Sequence, residues 1–243
     1  MAGHSHWANI QRSKSKTDKK RGKIFSKHSK LIISAAKQGG ADPDQNLRLR
    51  YAIDRARADN MPNQSIERSI AKGAGGSEGD EFEEILYEGY GPGGVALLIE
   101  ALTDNRNRTA PDLRYILDRK GGTLGTSGSV AWNFERKAAF VLSRQGVAED
   151  ELFEFALENG ADDVSTEEDG IFGVTADPTA FHTLRTALEA RGFPIEDAAL
   201  RYIPKNTVEV DADTGKKLLE LIEALEDNDD IQGVHANAEF LDN

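Results

Sequence analysis

The stretch from Thr17 to Gly40, TDKKRGKIFSKHSKLIISAAKQGG, determines the fold of the N-terminal part of the chain. Its lysines recur every three or four residues, and its apolar residues recur with the same period on the opposite side. At 3.6 residues per turn, this pattern predicts one amphipathic helix from Thr17 to Gln38, ended by Gly39 and Gly40. The predicted basic face contains Lys16, Lys19, Lys20, Lys23, Lys27, Lys30 and Lys37. The predicted apolar side contains Ile24, Phe25, His28, Leu31, Ile32, Ala35 and Ala36.

Two shorter helices are predicted after this one. Asp42 and Pro43 are typical of a helix N-cap and first turn, which predicts a helix over about 43–59. A third helix is predicted over about 62–72, and the glycine-rich stretch 73–80 is typical of a linker. Three helices with brief connections predict a small bundle, which we place at residues 1–78.

The pattern changes to mixed strands and helices beyond the linker. Strands are predicted at 83–89, 95–102 and 129–134, with a helix at 106–119. From Ala138 the predicted order is strand, helix, strand, strand, helix, strand, which is the βαββαβ order of a ferredoxin-like unit.

The tail from Thr207 adds only a strand, a helix and a last strand, which are too few for an independent sheet. We therefore pair it with the segment after the linker. This gives a discontinuous domain of 79–134 plus 205–243, interrupted by an inserted domain at 135–204. The predicted fold class is α+β and multidomain, with an N-terminal three-helix bundle followed by two ferredoxin-like α/β domains, one inserted in the other.

Charge is divided unevenly along the chain. Residues 1–72 contain 16 Lys and Arg against 6 Asp and Glu, whereas residues 73–243 contain 14 against 36. The formal net charge of −12 therefore hides a basic N-terminal part. Such asymmetry is typical of proteins that contact nucleic acid or a membrane surface.

The lysine face is the strongest functional signal in the sequence, because rows of lysine neutralise phosphates and release counterions. A solvated helix face and a membrane-surface helix are the alternatives. Asp18 is the only acid before Asp42, and the apolar side of the helix lacks Trp and is poor in Phe, which favours the polyanion. The predicted nucleic-acid-binding residues are Arg12, Lys14, Lys16, Lys19, Lys20, Arg21, Lys23, Lys27, Lys30, Arg48 and Arg50. For the two arginines, local ion pairing is an equal alternative.

Other motifs have two interpretations each. Trp7 is predicted either to stack on a base or to anchor the N-terminus, and His4 with His6 lacks a nearby carboxylate for a metal site. The run Thr103–Thr109 is predicted to cap a helix, with a binding corner as the alternative. The glycine-rich run Gly121–Ser129 matches no phosphate-loop pattern and is predicted to be a flexible turn.

Enzyme motifs are weak in this sequence. There is no G-x-S-x-G or HExxH motif, and the chain contains no cysteine. A metal-dependent nuclease using Glu88 and Asp104 is the remaining catalytic alternative. We predict a non-enzymatic cytoplasmic protein without cofactor, metal or small-molecule substrate, not bound to a membrane, and monomeric. A mitochondrial transit peptide is the rival interpretation of the basic N-terminus.

The sequence closely resembles the YebC/PmpR family over essentially its whole length. The motifs that carry the resemblance are MAGHSHWANI at 1–10, KRGKIF at 20–25, NMP at 60–62 with IER at 66–68, YEGYGPGG at 87–94, TDNRNRT at 103–109, and GG at 121–122 with GSV at 128–130. His6 stands where the family usually has Lys, and Leu47 stands where Pro is common. The change at His6 removes one cation.

The resemblance implies a three-domain protein without enzymatic activity, and it implies two kinds of function. Bacterial members are described as DNA-binding transcriptional regulators. Other members, including the mitochondrial translational activator of cytochrome c oxidase, are described as ribosome-associated translation factors, some of which relieve stalls at proline-rich stretches. A lysine-rich face contacts phosphates without reading bases, which favours structured RNA or weakly specific DNA binding. The expected partner is therefore nucleic acid, with transcription control as the first hypothesis and ribosomal RNA as the alternative.

Overall fold

The computed structural model describes residues 21–75, 81–166 and 170–241, and these residues form an α+β fold. The helices are α1 (Arg21–Gly39), α2 (Leu47–Ala58), α3 (Asn63–Ala74), α4 (Arg106–Arg119), α5 (Glu149–Glu158), α6 (Phe181–Arg191) and α7 (Ala212–Glu226). The strands are β1 (Glu83–Tyr90), β2 (Ala96–Thr103), β3 (Thr123–Leu124), β4 (Phe134–Ser143), β5 (Ala161–Ser165), β6 (Ile171–Ala176), β7 (Ile195–Pro204), β8 (Val208–Val210), β9 (Ile231–Ala236) and β10 (Ala238–Phe240). Short 3-10 turns lie at Pro92–Gly94, Ala131–Asn133 and Pro178–Ala180.

Helices α1, α2 and α3 form the predicted bundle around one apolar core. The predicted apolar side of α1 is confirmed for Ile32, Ala35 and Ala36, which are buried. The other core residues are Leu49, Ala52, Ile53, Ala56, Met61 and Ile66. Gly73 allows α3 to approach α1, because a Cβ there would lie 2.6 Å from the Ile33 carbonyl oxygen.

The predicted end of α1 is confirmed. The helix ends at Gly39, and Gly40 has a φ of 89°, a left-handed conformation that glycine adopts without steric cost. The first part of the predicted helix, 17–20, lies outside the described residues.

The predicted start of the second helix at Pro43 is wrong, because α2 begins at Leu47. Its N-cap is Asn46, whose Oδ1 accepts a hydrogen bond from the Leu49 amide at 3.0 Å. The carboxylate of Asp42 instead accepts the amide two residues ahead at 2.9 Å and forms a turn. Both side chains are good caps, so the sequence alone did not decide between them.

The first sheet has the strand order β3-β1-β2-β9, and it joins the tail to the segment that follows the bundle. β9 runs antiparallel to β2, with Leu97 opposite Ala236 and Ile99 opposite Val234. Helices α4 and α7 pack on this sheet through a core that includes Leu113, Leu117, Leu218, Leu221 and Leu225. Strands β8 and β10 form a separate parallel pair.

The second sheet has the order β5-β6-β4-β7 with antiparallel neighbours, which confirms the predicted βαββαβ arrangement. Helices α5 and α6 contribute Leu152, Leu184 and Leu188 to its core, beside Phe140 and Phe172. The two sheets thus have distinct cores. The boundaries 79–134 plus 205–243 and 135–204 stay a prediction, which these separate sheets and cores support.

The predicted strand at 129–134 is wrong over most of its length. A 3-10 turn occupies Ala131–Asn133, and β4 begins only at Phe134. The cause is Glu88, a buried residue of β1 that binds the backbone amides of this segment in place of a neighbouring strand.

Candidate nucleic-acid interface

The predicted nucleic-acid-binding residues divide into two groups in the structure. Those from 12 to 20 (Arg12, Lys14, Lys16, Lys19 and Lys20) lie outside the described residues. Arg21 lies at the beginning of α1, Lys23, Lys27 and Lys30 follow along the same helix, and Arg48 and Arg50 lie on α2. The structure thus brings the three lysines together on α1, as the spacing predicted.

The three described lysines converge on the end of α7 and the segment after it. Lys23 Nζ donates to the Asp227 carbonyl oxygen at 3.0 Å, and Lys27 Nζ donates to the Glu226 carbonyl oxygen at 2.6 Å. One turn further, Lys30 Nζ donates to the Asp229 carbonyl oxygen at 3.0 Å. Lys23, Lys27 and Lys30 are therefore bonded to another part of the same chain.

The partner segment has strong negative potential. Its sequence from 226 to 230 is EDNDD, with four acidic residues in five. The carbonyl groups at the end of α7 add the negative end of the helix dipole, which favours cations. Lys23, Lys27 and Lys30 thus lie against an acidic segment of the same chain, whereas the sequence predicted an external polyanion for them.

The environment of Lys27 shows how closely the surfaces pack. Burial lowers the pKa of its ammonium group, and the nearby charges of Glu226, Asp229 and Asp227 oppose that effect without cancelling it. Such a lysine is partly removed from solvent. A phosphate that binds Lys27 would therefore have to compete with the acidic segment for its ammonium group.

Asp230 is the buried centre of this junction. Its Oδ1 accepts from Lys30 Nζ at 2.8 Å, and its Oδ2 accepts from the Arg108 guanidinium at 2.7 Å. The same Oδ2 accepts from the hydroxyl groups of Thr109 at 2.9 Å and Thr103 at 3.1 Å. One carboxylate therefore connects α1 of the bundle to the end of β2 and the first turn of α4.

The protonation of Asp230 follows from these bonds. Burial alone would raise the pKa of its carboxyl group, but hydrogen bonds from Arg108, Lys30 and Thr109 outweigh burial and lower it to about 2. The group is thus a carboxylate at neutral pH. The same bonds raise the pKa of Arg108, whose partners are Asp230 and Asp104.

The polar run Thr103–Thr109 has two roles in the structure. The predicted helix cap is confirmed, because Asn105 is the N-cap of α4 and its Oδ1 accepts from the Arg108 amide at 3.2 Å. The run also surrounds the Asp230 carboxylate. Sequence reasoning missed Asp230, because it lies more than 120 positions away and no local pattern distinguishes it from its acidic neighbours.

The arginines of α2 form local ion pairs. Arg48 contacts the Glu84 carboxylate and donates to Gln38 Oε1 at 2.7 Å. Arg50 donates to Asp44 Oδ1 at 2.7 Å. The ion-pairing alternative thus describes both residues in this structure, while their binding of nucleic acid stays a prediction.

The two carboxylates of the nuclease alternative have different partners. Glu88 accepts from the amides of Gly128, Val130 and Ala131 at 2.6 to 2.8 Å. Burial alone would raise the pKa of Glu88, but these three bonds outweigh it and lower the pKa. The glycine-rich run is thus bonded to β1 at this point.

Asp104 lies at the far end of the same sheet. Asp104 pairs with Arg108 at 2.8 Å. It directly follows Thr103, which lies opposite Glu83 in the pairing of β1 with β2. Glu88 lies five residue steps along β1 from Glu83, roughly 17 Å at about 3.4 Å per step. The two carboxylates are too far apart to share a metal ion.

Residues 21–75, 81–166 and 170–241 contain neither a metal-binding group of side chains nor a membrane-spanning helix. In these ranges no three His, Cys, Asp or Glu side chains are grouped to hold a metal ion. Over the same ranges, no helix has the length and apolar character needed to cross a bilayer.

Comparison with known proteins gives one consistent result. Residues 5–76 match the family described as TACO1/YebC protein N-terminal domain, and residues 82–238 match the family described as TACO1/YebC second and third domain. A "Probable transcriptional regulatory protein" of Rhodopirellula baltica is 52% identical over 240 residues, covering 99% of this chain and 97% of the relative. Another of that name, from Caldanaerobacter subterraneus, is 47% identical over 243 residues and covers 100% of both chains.

A solved structure is similar over nearly the whole chain. The crystal structure of a conserved hypothetical protein from Aquifex aeolicus superposes with a TM-score of 0.86 at 44% sequence identity, covering 98% of each chain.

Proposed function

This chain belongs to the TACO1/YebC family, and we propose that it is a non-enzymatic, nucleic-acid-binding regulator of gene expression. The observation that carries the proposal is the charge division, with 16 Lys and Arg against 6 Asp and Glu in residues 1–72. Cations at that density neutralise phosphates and supply most of the affinity in non-specific binding. The names of the relatives favour transcription as the process and DNA as the target.

The contacts of α1 suggest that the basic residues fall into two groups with different roles. Lys23, Lys27 and Lys30 are bonded to the acidic segment 226–230. A phosphate would have to compete with this segment for them. We therefore assign the first phosphate contacts to the cations that precede α1, namely Arg12, Lys14, Lys16, Lys19 and Lys20.

The chemistry of these residues also suggests how the target is recognised. Lysine is a flexible point charge, whereas base reading in the major groove relies on Arg, Asn or Gln at base edges. Of the six cations from 12 to 21, four are lysines and two are arginines. Binding through them is expected to depend strongly on salt and weakly on sequence. We further propose that the protein acts as a cytoplasmic monomer without catalytic turnover.

The proposal is tested with the full chain and two sets of variants. Labelled duplex DNA is titrated by fluorescence anisotropy with K14Q/K16Q/K20Q and with a control, K216Q/K217Q, whose changed lysines are exposed on α7. We expect the first set to weaken binding about tenfold or more at moderate salt and the control to change it little, since each lost phosphate contact removes counterion release.

Ribosomal particles are the second ligand in the same experiment. Co-sedimentation that depends on Lys14, Lys16 and Lys20, without binding of duplex DNA, would contradict the DNA assignment and establish ribosomal RNA as the target. Absence of lysine-dependent binding to both ligands would contradict the proposal as a whole.

A further inference from the structure

A cleft with a volume of about 580 Å³ lies where the bundle meets both sheets. Its walls come from α2, from the paired strands β1 and β2, from β4, β7 and β9, and from the beginning of α6 with the turn before it. Sites for small organic ligands have volumes of about 300–1,000 Å³ and often lie between domains. The cleft is therefore large enough for a ligand of the size of a nucleotide.

The walls of the cleft are largely apolar. Ile85, Phe181 and Leu200 lie along it, and Leu47 and Leu86 also line it while remaining 65% and 45% exposed. Large aliphatic side chains at that exposure provide a surface for a flat apolar group. The apolar walls can bind the apolar body of a ligand, but polar edges of a ligand need hydrogen-bonding groups.

Three hydrogen-bonding groups that line the cleft have no partner within the described part of the chain. Gln232 Nε2 is buried and makes no hydrogen bond. The guanidinium group of Arg136 and the hydroxyl group of Tyr202 also make no hydrogen bond or ion pair in residues 21–75, 81–166 and 170–241. A buried amide without a partner is costly, and such groups often mark a missing ligand or water.

An ionised acceptor lies beside these donors. Glu100 lines the cleft, and its Oε1 is 2.6 Å from His235 Nε2. Burial alone would raise the pKa of Glu100, but the hydrogen bond and charge of His235, followed by the charge of Arg136, outweigh it and lower the pKa. The cleft thus offers donors and an acceptor close together, which suits the mixed edge of a nucleobase.

Two arginines lie near each other at the cleft. Burial and then the positive charge of Arg136 lower the pKa of Arg48. Glu84 pairs with Arg48, whereas Arg136 is exposed and makes no ion pair in the described residues, although its charge acts on Glu100. One positive charge is therefore left for an anionic group such as a phosphate.

Simpler ligands fit these features less well. A purely apolar molecule would leave Gln232 and Arg136 without partners. A small inorganic anion would fill little of the volume and would meet the negative charge of Glu100. We propose that the cleft binds a nucleotide, with its base between the apolar walls near Gln232, Glu100 and Tyr202 and its phosphate at Arg136. The nucleotide is either free or an unstacked unit of a single-stranded nucleic acid.

The test uses calorimetric titration of the full chain with AMP, GMP, CMP and UMP, and with inorganic phosphate. Two variants change the cleft, Arg136→Gln and Gln232→Leu, and Arg114→Gln is the matched control on exposed α4 surface. We expect each cleft variant to weaken binding of the preferred nucleotide about tenfold or more, since a hydrogen bond to a charged or buried group is lost. The control is expected to bind as the unchanged chain does.

A second arm uses a single-stranded oligonucleotide containing 2-aminopurine, whose fluorescence reports unstacking. Binding of free nucleotides that depends on Arg136 and Gln232 supports a free ligand. Oligonucleotide binding with the same dependence, without free-nucleotide binding, supports a unit of a strand. The proposal is overturned if neither probe binds, if the cleft variants bind as the control does, or if phosphate binds as tightly as the nucleotides.

The folding of the variants is checked by thermal unfolding. Gln232→Leu removes an amide nitrogen that has no partner, so its midpoint is expected to stay the same or rise. A loss of nucleotide binding in a variant with an unchanged midpoint therefore reports the site and not the fold.

Discussion

The bundle meets the rest of the chain at two places, and the cations at these places differ in whether they have bonded partners. At the acidic segment 226–230, Lys23, Lys27 and Lys30 all donate hydrogen bonds to oxygen atoms of the same chain. In the cleft, Arg136 has no bonded partner among the described residues, and a buried nitrogen of Gln232 has none either. The comparison teaches that residue type does not show whether a cation is structural or available for binding. The bonded partners of the cation show it.

Replacing Asp230 by Ala is expected to give the largest effect. The change leaves Lys30 and Arg108 without their shared carboxylate and removes the acceptor of two threonine hydroxyls, which we expect to cost about 3 kcal/mol in unfolding free energy because the carboxylate is buried although both cations are partly exposed. Urea unfolding of the full chain measures it. The matched control is Asp229→Ala, which removes an exposed carboxylate but keeps the backbone oxygen that Lys30 binds. Equal stability of the two variants would contradict the role of Asp230.

Replacing Glu88 by Ala is expected to give the next largest effect, about 2 kcal/mol, because three backbone amides lose a charged acceptor. Hydrogen exchange measured by NMR should show faster exchange at Gly128, Val130 and Ala131. The hydrogen bond from the Arg108 amide to Asn105 Oδ1 lies elsewhere, so the exchange of that amide provides an internal control. Unchanged exchange at the three amides would show that Glu88 does not hold this segment.

Much of the fold was predictable from local sequence. The period of α1, its end at Gly39, the bounds of α4 and the βαββαβ order all follow from patterns within a few residues of each other. The start of α2 was not predictable, because Asn46 and Asp42 are both good caps. Only the packing against α1 distinguishes them, since Asn46 also donates to the Ala35 carbonyl oxygen at 2.8 Å.

The candidate sites were less predictable because their partners are distant in sequence. The lysine spacing predicted an anion-binding face, but it gave no sign that residues 226–230 would bind to it. Likewise, Arg136 and Gln232 are unremarkable in the sequence and come together only when the strands β4 and β9 pack near α2.

The pH dependence of stability should further distinguish the junction at Asp230 from the cleft. The pKa of Asp230 is about 2 in the folded state, below the value of about 3.9 for an unfolded chain. A lowered folded pKa adds stability above the unfolded value, and this stability is lost as pH falls from about 4 towards 2. Asp230→Asn is therefore expected to flatten the stability profile in that range, as measured by urea unfolding at several pH values. An unchanged slope would contradict the assigned ionisation.

Replacing Arg136 by Gln is expected to give the smallest effect on stability, below about 0.5 kcal/mol, because an exposed side chain without a partner contributes little. Thermal unfolding measures it against Asp230→Ala. A large loss of stability would show that Arg136 holds the fold, and the contrast between the two regions would fail.

The most direct test of the central claim is the salt dependence of duplex DNA binding, measured together with stability. Each phosphate contact contributes a slope of about −0.9 in the logarithm of the binding constant against the logarithm of salt. We predict that K14Q/K16Q/K20Q reduces the slope by roughly 2.7 without loss of stability. For K23Q/K27Q/K30Q, we predict mainly a loss of stability. The account would be contradicted by the opposite result, in which K23Q/K27Q/K30Q reduces the salt slope and leaves stability unchanged.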